Sequence, residues 1–323
     1  MGRDDWLTTP PPRAELDRGP FPARVGNVRI GTASWTEKTL LASRTFYPSI
    51  ANTAERRLRY YARHFPVVEV DASYYAIPSA ANAQAWAERT PADFVFGVKA
   101  YAALTQHPIE PTRLDKALQA ELPKTLRAKR SVYPRDLPPT VLDEIWQRFA
   151  GALEPLRRKL GYVLFQMPKW FAPSRESYAY LERVPERLPG LRIAVEFRQA
   201  SWMTDERRGR VLDFLRRAGL VYVAVDEPQG TSSSVPPVAE PTSDELAVVR
   251  FHGRNTAAWT KVGATTTERF GYHYRPDELR PWVPRIRELA RRTRQVHVLM
   301  NNCHRDYAVD NAKDLAELLG SSS

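Results

Sequence analysis

The stretch Val67-Val68-Glu69-Val70-Asp71-Ala72-Ser73 decides how this chain is read. In an extended strand Val68 and Val70 share one side, and Glu69, Asp71 and Ser73 share the other. The pattern recurs along the chain. Val195 and Phe197 oppose Ala194, Glu196 and Arg198, and Val249 and Phe251 oppose Val248, Arg250 and His252. Phe94, Phe96 and Val98 oppose Val95, Gly97 and Lys99. One side stays apolar throughout, and the other turns polar toward the C-terminal end. An apolar side that meets helices and a polar side that meets an axis describe a barrel strand.

Working outward, eight runs have strand character: 28–32, 67–72, 94–99, 162–166, 193–197, 220–225, 247–252 and 296–300. Helical spacing fills most gaps, over 53–64, 79–89, 141–159, 174–188, 203–218, 277–293 and 305–319. Pro155 marks a kink or an end in the third of these. The link 227–245 is rich in Ser and Pro and reads as a loop. Alternation of strands and helices predicts an α/β fold with a parallel sheet, and eight units fit a single (β/α)8 TIM-type barrel. An open doubly wound sheet is the alternative, but no glycine-rich phosphate loop follows the first strand. Residues 1–26 read as a Pro-rich tail, 27–320 as the barrel domain and 321–323 as a tail. Two connections are long: a basic insertion at 101–140, between strands 3 and 4, and 254–276.

The 323 residues are 43% hydrophobic and 26% charged, which suits a folded protein with a large core. No apolar run is long enough to span a membrane, and the start lacks a signal-peptide core, so a cytoplasmic location is expected. The single Cys303 cannot form an internal disulfide or a thiolate zinc site. As a nucleophile it has no partner His fixed by motif. The net charge of +11, carried mainly by Arg, fits an anionic partner and equally an Arg-rich composition.

The polar strand ends are the candidate site, because barrel enzymes work at that face. Glu69 and Glu196 are candidate acid and base, with His252 assisting. Lys99, Arg198, Arg250 and Arg254 suit a phosphate or carboxylate, and Arg can bind one with paired hydrogen bonds. Asp71, Ser73, Tyr75, Gln166, Asn301, Asn302 and Trp35 complete the substrate-binding set. Tyr47, Tyr74, Trp170 and Trp202 add loop aromatics, and His107 and His304 fall in loops that could reach the mouth. Glu69, Asp71, Glu196, Asp226 and His252 could hold a single divalent metal, but the neighbouring cations argue against it, and no cofactor is expected. Six His in the whole chain are too few for a multinuclear zinc site. Ion pairs sealing Glu69, Glu196, Lys99 and Arg250 without a pocket would count against a site.

Gly31-Thr32-Ala33-Ser34-Trp35, Phe46-Tyr47-Pro48, residues 68–75, Leu164-Phe165-Gln166-Met167-Pro168, Val195-Glu196-Phe197-Arg198, residues 249–254 and Asn301-Asn302 occur in an order that resembles the YecE-like family (domain of unknown function 72). The resemblance covers residues 28–319 and implies a TIM-type barrel without a settled activity. Asp71, Ser73-Tyr74-Tyr75 and Gln199 depart from the family's usual residues. The expected function is acid/base chemistry of hydrolase or lyase type on an anionic substrate such as a sugar phosphate, nucleotide or nucleic-acid end. The alternatives are nucleic-acid binding without turnover, through the 101–140 insertion and the basic helix at 285–294, and glycan hydrolysis by two carboxylates.

Overall fold

The computed structural model describes residues 23–261 and 263–321. Eight parallel strands close into a barrel: β1 Val28–Thr32, β2 Val67–Val70, β3 Val95–Lys99, β4 Leu160–Gln166, β5 Ile193–Glu196, β6 Leu220–Asp226, β7 Leu246–Phe251 and β8 Gln295–Met300. Each pairs with the next, and β1 closes the ring on β8 from Val28↔Val296 to Thr32↔Met300. Between β1 and β2 the ladder is short, with Thr32↔Val68 in register. Tyr61 bridges that seam. Its hydroxyl accepts from Thr32 N at 2.8 Å and donates to Val67 O at 3.0 Å.

Seven long helices surround the strands: α1 Ala54–His64, α2 Ala80–Glu88, α3 Pro139–Leu153, α4 Arg175–Arg187, α5 Asp205–Arg217, α6 Trp282–Arg292 and α7 Tyr307–Gly320. Thr53, Ser79 and Ser174 cap α1, α2 and α4 by accepting a backbone N–H three residues on. α3 buries Val141, Ile145, Trp146, Phe149 and Leu153, while Leu142 stays only half-buried. Pro155 lies in a 3₁₀ turn, Glu154–Leu156, that ends it. The β6–β7 link carries no helix.

Several boundaries differ from the sequence reading. Arg24–Val25, within the expected tail, forms a short strand antiparallel to β1. Residues 1–22, which hold most of that tail, lie outside the described residues. β2 stops at Val70, and Asp71–Tyr74 is a 3₁₀ turn rather than strand. Residues 277–293 form two helices, Pro276–Leu279 and α6, with Pro281 between them. The 101–140 insertion carries two short helices, Lys116–Glu121 and Lys124–Arg127, and an Ile109↔Val132 bridge. It buries Leu104, Ile109, Leu118 and Val132 in continuity with the main core, while its cations Arg113, Lys116, Lys124, Arg127, Lys129, Arg130 and Arg135 face outward. No described helix is long and apolar enough to cross a membrane.

Candidate active site at the barrel mouth

β2, β5 and β7 are not neighbours in the sheet, so side chains that meet from all three meet across the barrel axis. Arg250 on β7 donates from Nη2 to Glu69 Oε1 and from Nη1 to Glu196 Oε2, each at 2.5 Å. All three side chains have no solvent exposure. Tyr162 on β4 donates its hydroxyl to the other Glu69 oxygen at 2.9 Å. Gly97 makes room for it, since a Cβ there would sit 2.5 Å from the Tyr162 ring. Tyr162 shares a strand side with Gln166 by simple alternation, so this member of the cluster was readable though not singled out.

The other Glu196 oxygen gathers three donors: Gln166 Nε2 at 2.6 Å, His252 Nε2 at 3.0 Å and Arg198 Nη1 at 3.3 Å. Asn301 Nδ2 donates to His252 Nδ1 at 2.8 Å, which fixes the neutral tautomer with its proton facing Glu196. Burial pushes His252 down to about 4, with Arg198 and Arg250 adding to burial against Glu196. Burial also opposes the charge on Glu196, but Arg250, His252 and Arg198 outweigh it and hold its carboxyl well below the usual range. Glu69 goes the other way. Burial, with the Asp71 charge beside it, outweighs Arg250 and Lys99 and pushes it up to about 7. Asp71 stands 3.9 Å from Arg250 and is 28% exposed, so it is the member of this carboxyl pair that solvent reaches.

A second carboxylate lies behind Arg198. Glu227, buried, accepts from Val235 N at 2.6 Å and pairs with Arg198 at 2.8 Å. Burial pushes it up to about 7 against the pull of Arg198 and Val235 N–H. Its position in a Ser/Pro-rich link hid it from pattern reading.

The remaining sequence candidates divide. Ser73 is buried and donates to the carbonyls of Val70 and Lys99, tying the ends of β2 and β3 together. Lys99 stands 5.0 Å over the Tyr74 ring and joins none of the buried ion pairs. Arg254 is bound at both ends to Asp226, at 2.8 and 2.7 Å. Asp226 also accepts from Tyr274 and Trp282 Nε1, at 2.7 and 2.6 Å, so Arg254 belongs to a structural network outside the axis cluster. Asn302 is buried and joins Tyr272 O to Asn311, and Trp35 packs edge-on against Trp86. Tyr75 is exposed at the rim. Glu69, Glu196 and His252 are thus committed to Arg250, to Asn301 and to one another. Among the described residues no three His, Cys, Asp or Glu side chains form a metal-binding group.

The axis cluster is sealed, but a cavity of about 210 Å³ opens beside it, lined by His107, Gln166, Lys169, Arg198, Trp259 and Arg269 among others. Gln166 and Arg198 both touch Glu196, so the cavity wall and the buried carboxylate are one hydrogen-bonded unit. Arg198 lies 4.6 Å over the Trp259 ring. Burial and the charges of Arg198 and Arg269 draw Lys169 down, against Glu227. No carboxylate is among the described lining residues. Lys169 comes from the loop after β4 and Arg269 from a short helix, Thr266–Phe270, in the 254–276 connection, and neither was among the sequence candidates.

The family model for a protein of unknown function, DUF72, matches residues 29–323. The chain belongs to the DUF72 family. A relative, UPF0759 protein YunF of Bacillus subtilis (strain 168), is 34% identical over 297 residues, covering 90% of this chain and 94% of YunF. A DUF72 crystal structure from Enterococcus faecalis V583 is 26% identical with a TM-score of 0.72, covering 92% of this chain and 96% of that one. Another, from Thermotoga maritima MSB8, is 30% identical with a TM-score of 0.70, covering 91% and 99%. Both agree with the TIM-type barrel, and the resemblance found in the motifs is a true membership. DUF72 has no established activity.

Proposed function

We propose that this protein is an enzyme that performs acid/base chemistry, of hydrolase or lyase type, on a small substrate bearing a phosphate or carboxylate. The cationic cavity beside the sealed carboxylates carries the reading. Lys169 and Arg269 converge on it with no carboxylate in its lining, beside Arg198, which Glu196 and Glu227 hold from behind the wall. Cations held near one another in a concave site favour an anion there. The buried pair supplies a proton. Glu69, pushed up to about 7, holds it near neutrality, and Asp71 passes it outward because Asp71 alone of the two meets solvent. Glu196, ionised and bound by four donors, orients Gln166 and Arg198 rather than touching substrate. Glycan hydrolysis by Glu69 and Glu196 is disfavoured, because a guanidinium occupies the space between them.

The test is a turnover screen of small phosphate esters and carboxylates. A substrate whose turnover collapses in Asp71→Asn and in the Lys169→Ala/Arg269→Ala double variant supports the reading. Turnover unchanged in both overturns it.

Nucleic-acid binding without turnover is the second reading, favoured by the seven outward cations of the insertion. Among the described residues Arg113 alone of them pairs with a carboxylate, Glu110, and Arg135 lies over Tyr133, which neighbours the exposed Trp170. Affinity for an oligonucleotide that falls steeply with salt and ignores Asp71→Asn would support it.

A further inference from the structure

Next to the cationic cavity lies a second, smaller one of about 170 Å³, lined by Tyr74, Tyr75, Tyr101, Ile109, Glu110 and Arg113 among others. The two share a wall. His107 lines the cationic cavity and packs edge-on against Tyr74, 5.2 Å between centroids, and Tyr74 lines the small one. Thr105 bonds His107 Nδ1 at 2.9 Å, and burial and the charge of Lys99 draw the ring down to about 4, so the wall is uncharged at neutral pH. Lys99 stands 5.0 Å from the centroid of the same Tyr74 ring. Asp71 is close enough to act on the Tyr75 hydroxyl electrostatically, so the exposed acid of the proposed proton pair borders the tyrosines.

Three phenol rings give the small cavity polarisable faces and edges. Tyr74 and Tyr75 meet at 88° with centroids 5.0 Å apart, which leaves their faces turned in different directions rather than stacked on each other. Tyr75 is 54% exposed, an unusual place for a large ring with nothing to cover it. The volume is near the roughly 150 Å³ at which an apolar protein cavity accepts one benzene ring. Glu110 and Arg113, paired at 2.9 Å and half exposed, put a hydrogen-bond acceptor and donors at its edge. Stacking on such rings tolerates any planar base, while the polar rim reads its edge.

We infer that the substrate is bipartite: a planar heteroaromatic ring seated on Tyr74, Tyr75 and Tyr101, joined to a phosphate held by Lys169, Arg198 and Arg269, as in a nucleoside monophosphate. This rests on the anion reading of the mouth. It adds the ring and the place where the ring binds.

The experiment compares the four common nucleoside 5′-monophosphates, ribose 5-phosphate and inorganic phosphate by calorimetry on the full chain. The expected result is that at least one nucleoside monophosphate binds about tenfold or more tightly than ribose 5-phosphate. Tyr75→Ala abolishes that preference without changing ribose 5-phosphate binding, and Tyr75→Phe keeps it. Equal binding of all the phosphates, unaltered by Tyr75→Ala, overturns the ring subsite and leaves the anion reading standing. Binding of none of them, inorganic phosphate included, overturns both.

Discussion

Arg250 spans the barrel axis to hold Glu69 with one terminal nitrogen and Glu196 with the other, both at 2.5 Å and all three groups sealed from solvent. Two carboxylates share one guanidinium, and their proton affinities separate: Glu69 rises to about 7 and Glu196 falls well below the usual range. The difference follows from neighbours. Glu196 has His252, Gln166 and Arg198 as further donors, whereas Glu69 has the like charge of Asp71.

Removing the bridge should therefore be severe. Arg250→Met leaves Glu69 without its ion-pair partner and Glu196 with only the more distant Arg198, and the expected loss is about 3–5 kcal/mol in urea unfolding. In the surviving folded fraction Glu196 should take up a proton at a higher pH than in the wild type.

Glu227 gives a separate pH signature. Held at about 7 in the fold against 4.5 ordinarily, it keeps its proton over a range where the unfolded chain has released its own. Its contribution to stability is present below pH 4.5 and is lost as pH rises to about 7. Glu227→Gln cannot titrate. Its stability relative to wild type should climb across that window by at most about 3 kcal/mol. Parallel stability curves for the two proteins would contradict the assignment.

The Gly97 position tests the packing beneath the site. A methyl group there meets the Tyr162 ring at 2.5 Å, and the ring is pinned by its bond to Glu69. Gly97→Ala should cost about 1–3 kcal/mol in thermal or urea unfolding. In the Gly97→Ala/Tyr162→Phe pair, the loss of the hydroxyl should offset part of that strain, so the two effects should not add.

Alternation carried most of what the sequence could tell. It put Glu69, Glu196 and Arg250 on one side of their strands, and they meet at the axis. It failed where the strands end. Asp71 and Ser73 sit on a 3₁₀ turn, because the Ser73 hydroxyl gathers the carbonyls of Val70 and Lys99 and turns the chain. Arg254 lies four residues past Arg250, but Gly253 between them has φ +84°, and the chain swings Arg254 onto Asp226. Gln166 and Arg198 in the cationic cavity were readable from their strands, but Lys169 arrives from a loop and Arg269 from the five-residue helix Thr266–Phe270, neither of which carries a period to read. The short helices of the insertions span four to six residues, too few to show a repeat.

The most direct measurement of the central claim is calorimetric titration of inorganic phosphate at low salt into wild type, the Lys169→Ala/Arg269→Ala double variant and Arg254→Ala. The cationic cavity predicts saturable binding to wild type, an affinity lower by about tenfold or more in the double variant, and no change in Arg254→Ala, whose guanidinium is held by Asp226. Equal affinity in the double variant and wild type, or loss of binding in Arg254→Ala alone, would contradict an anion site at this mouth.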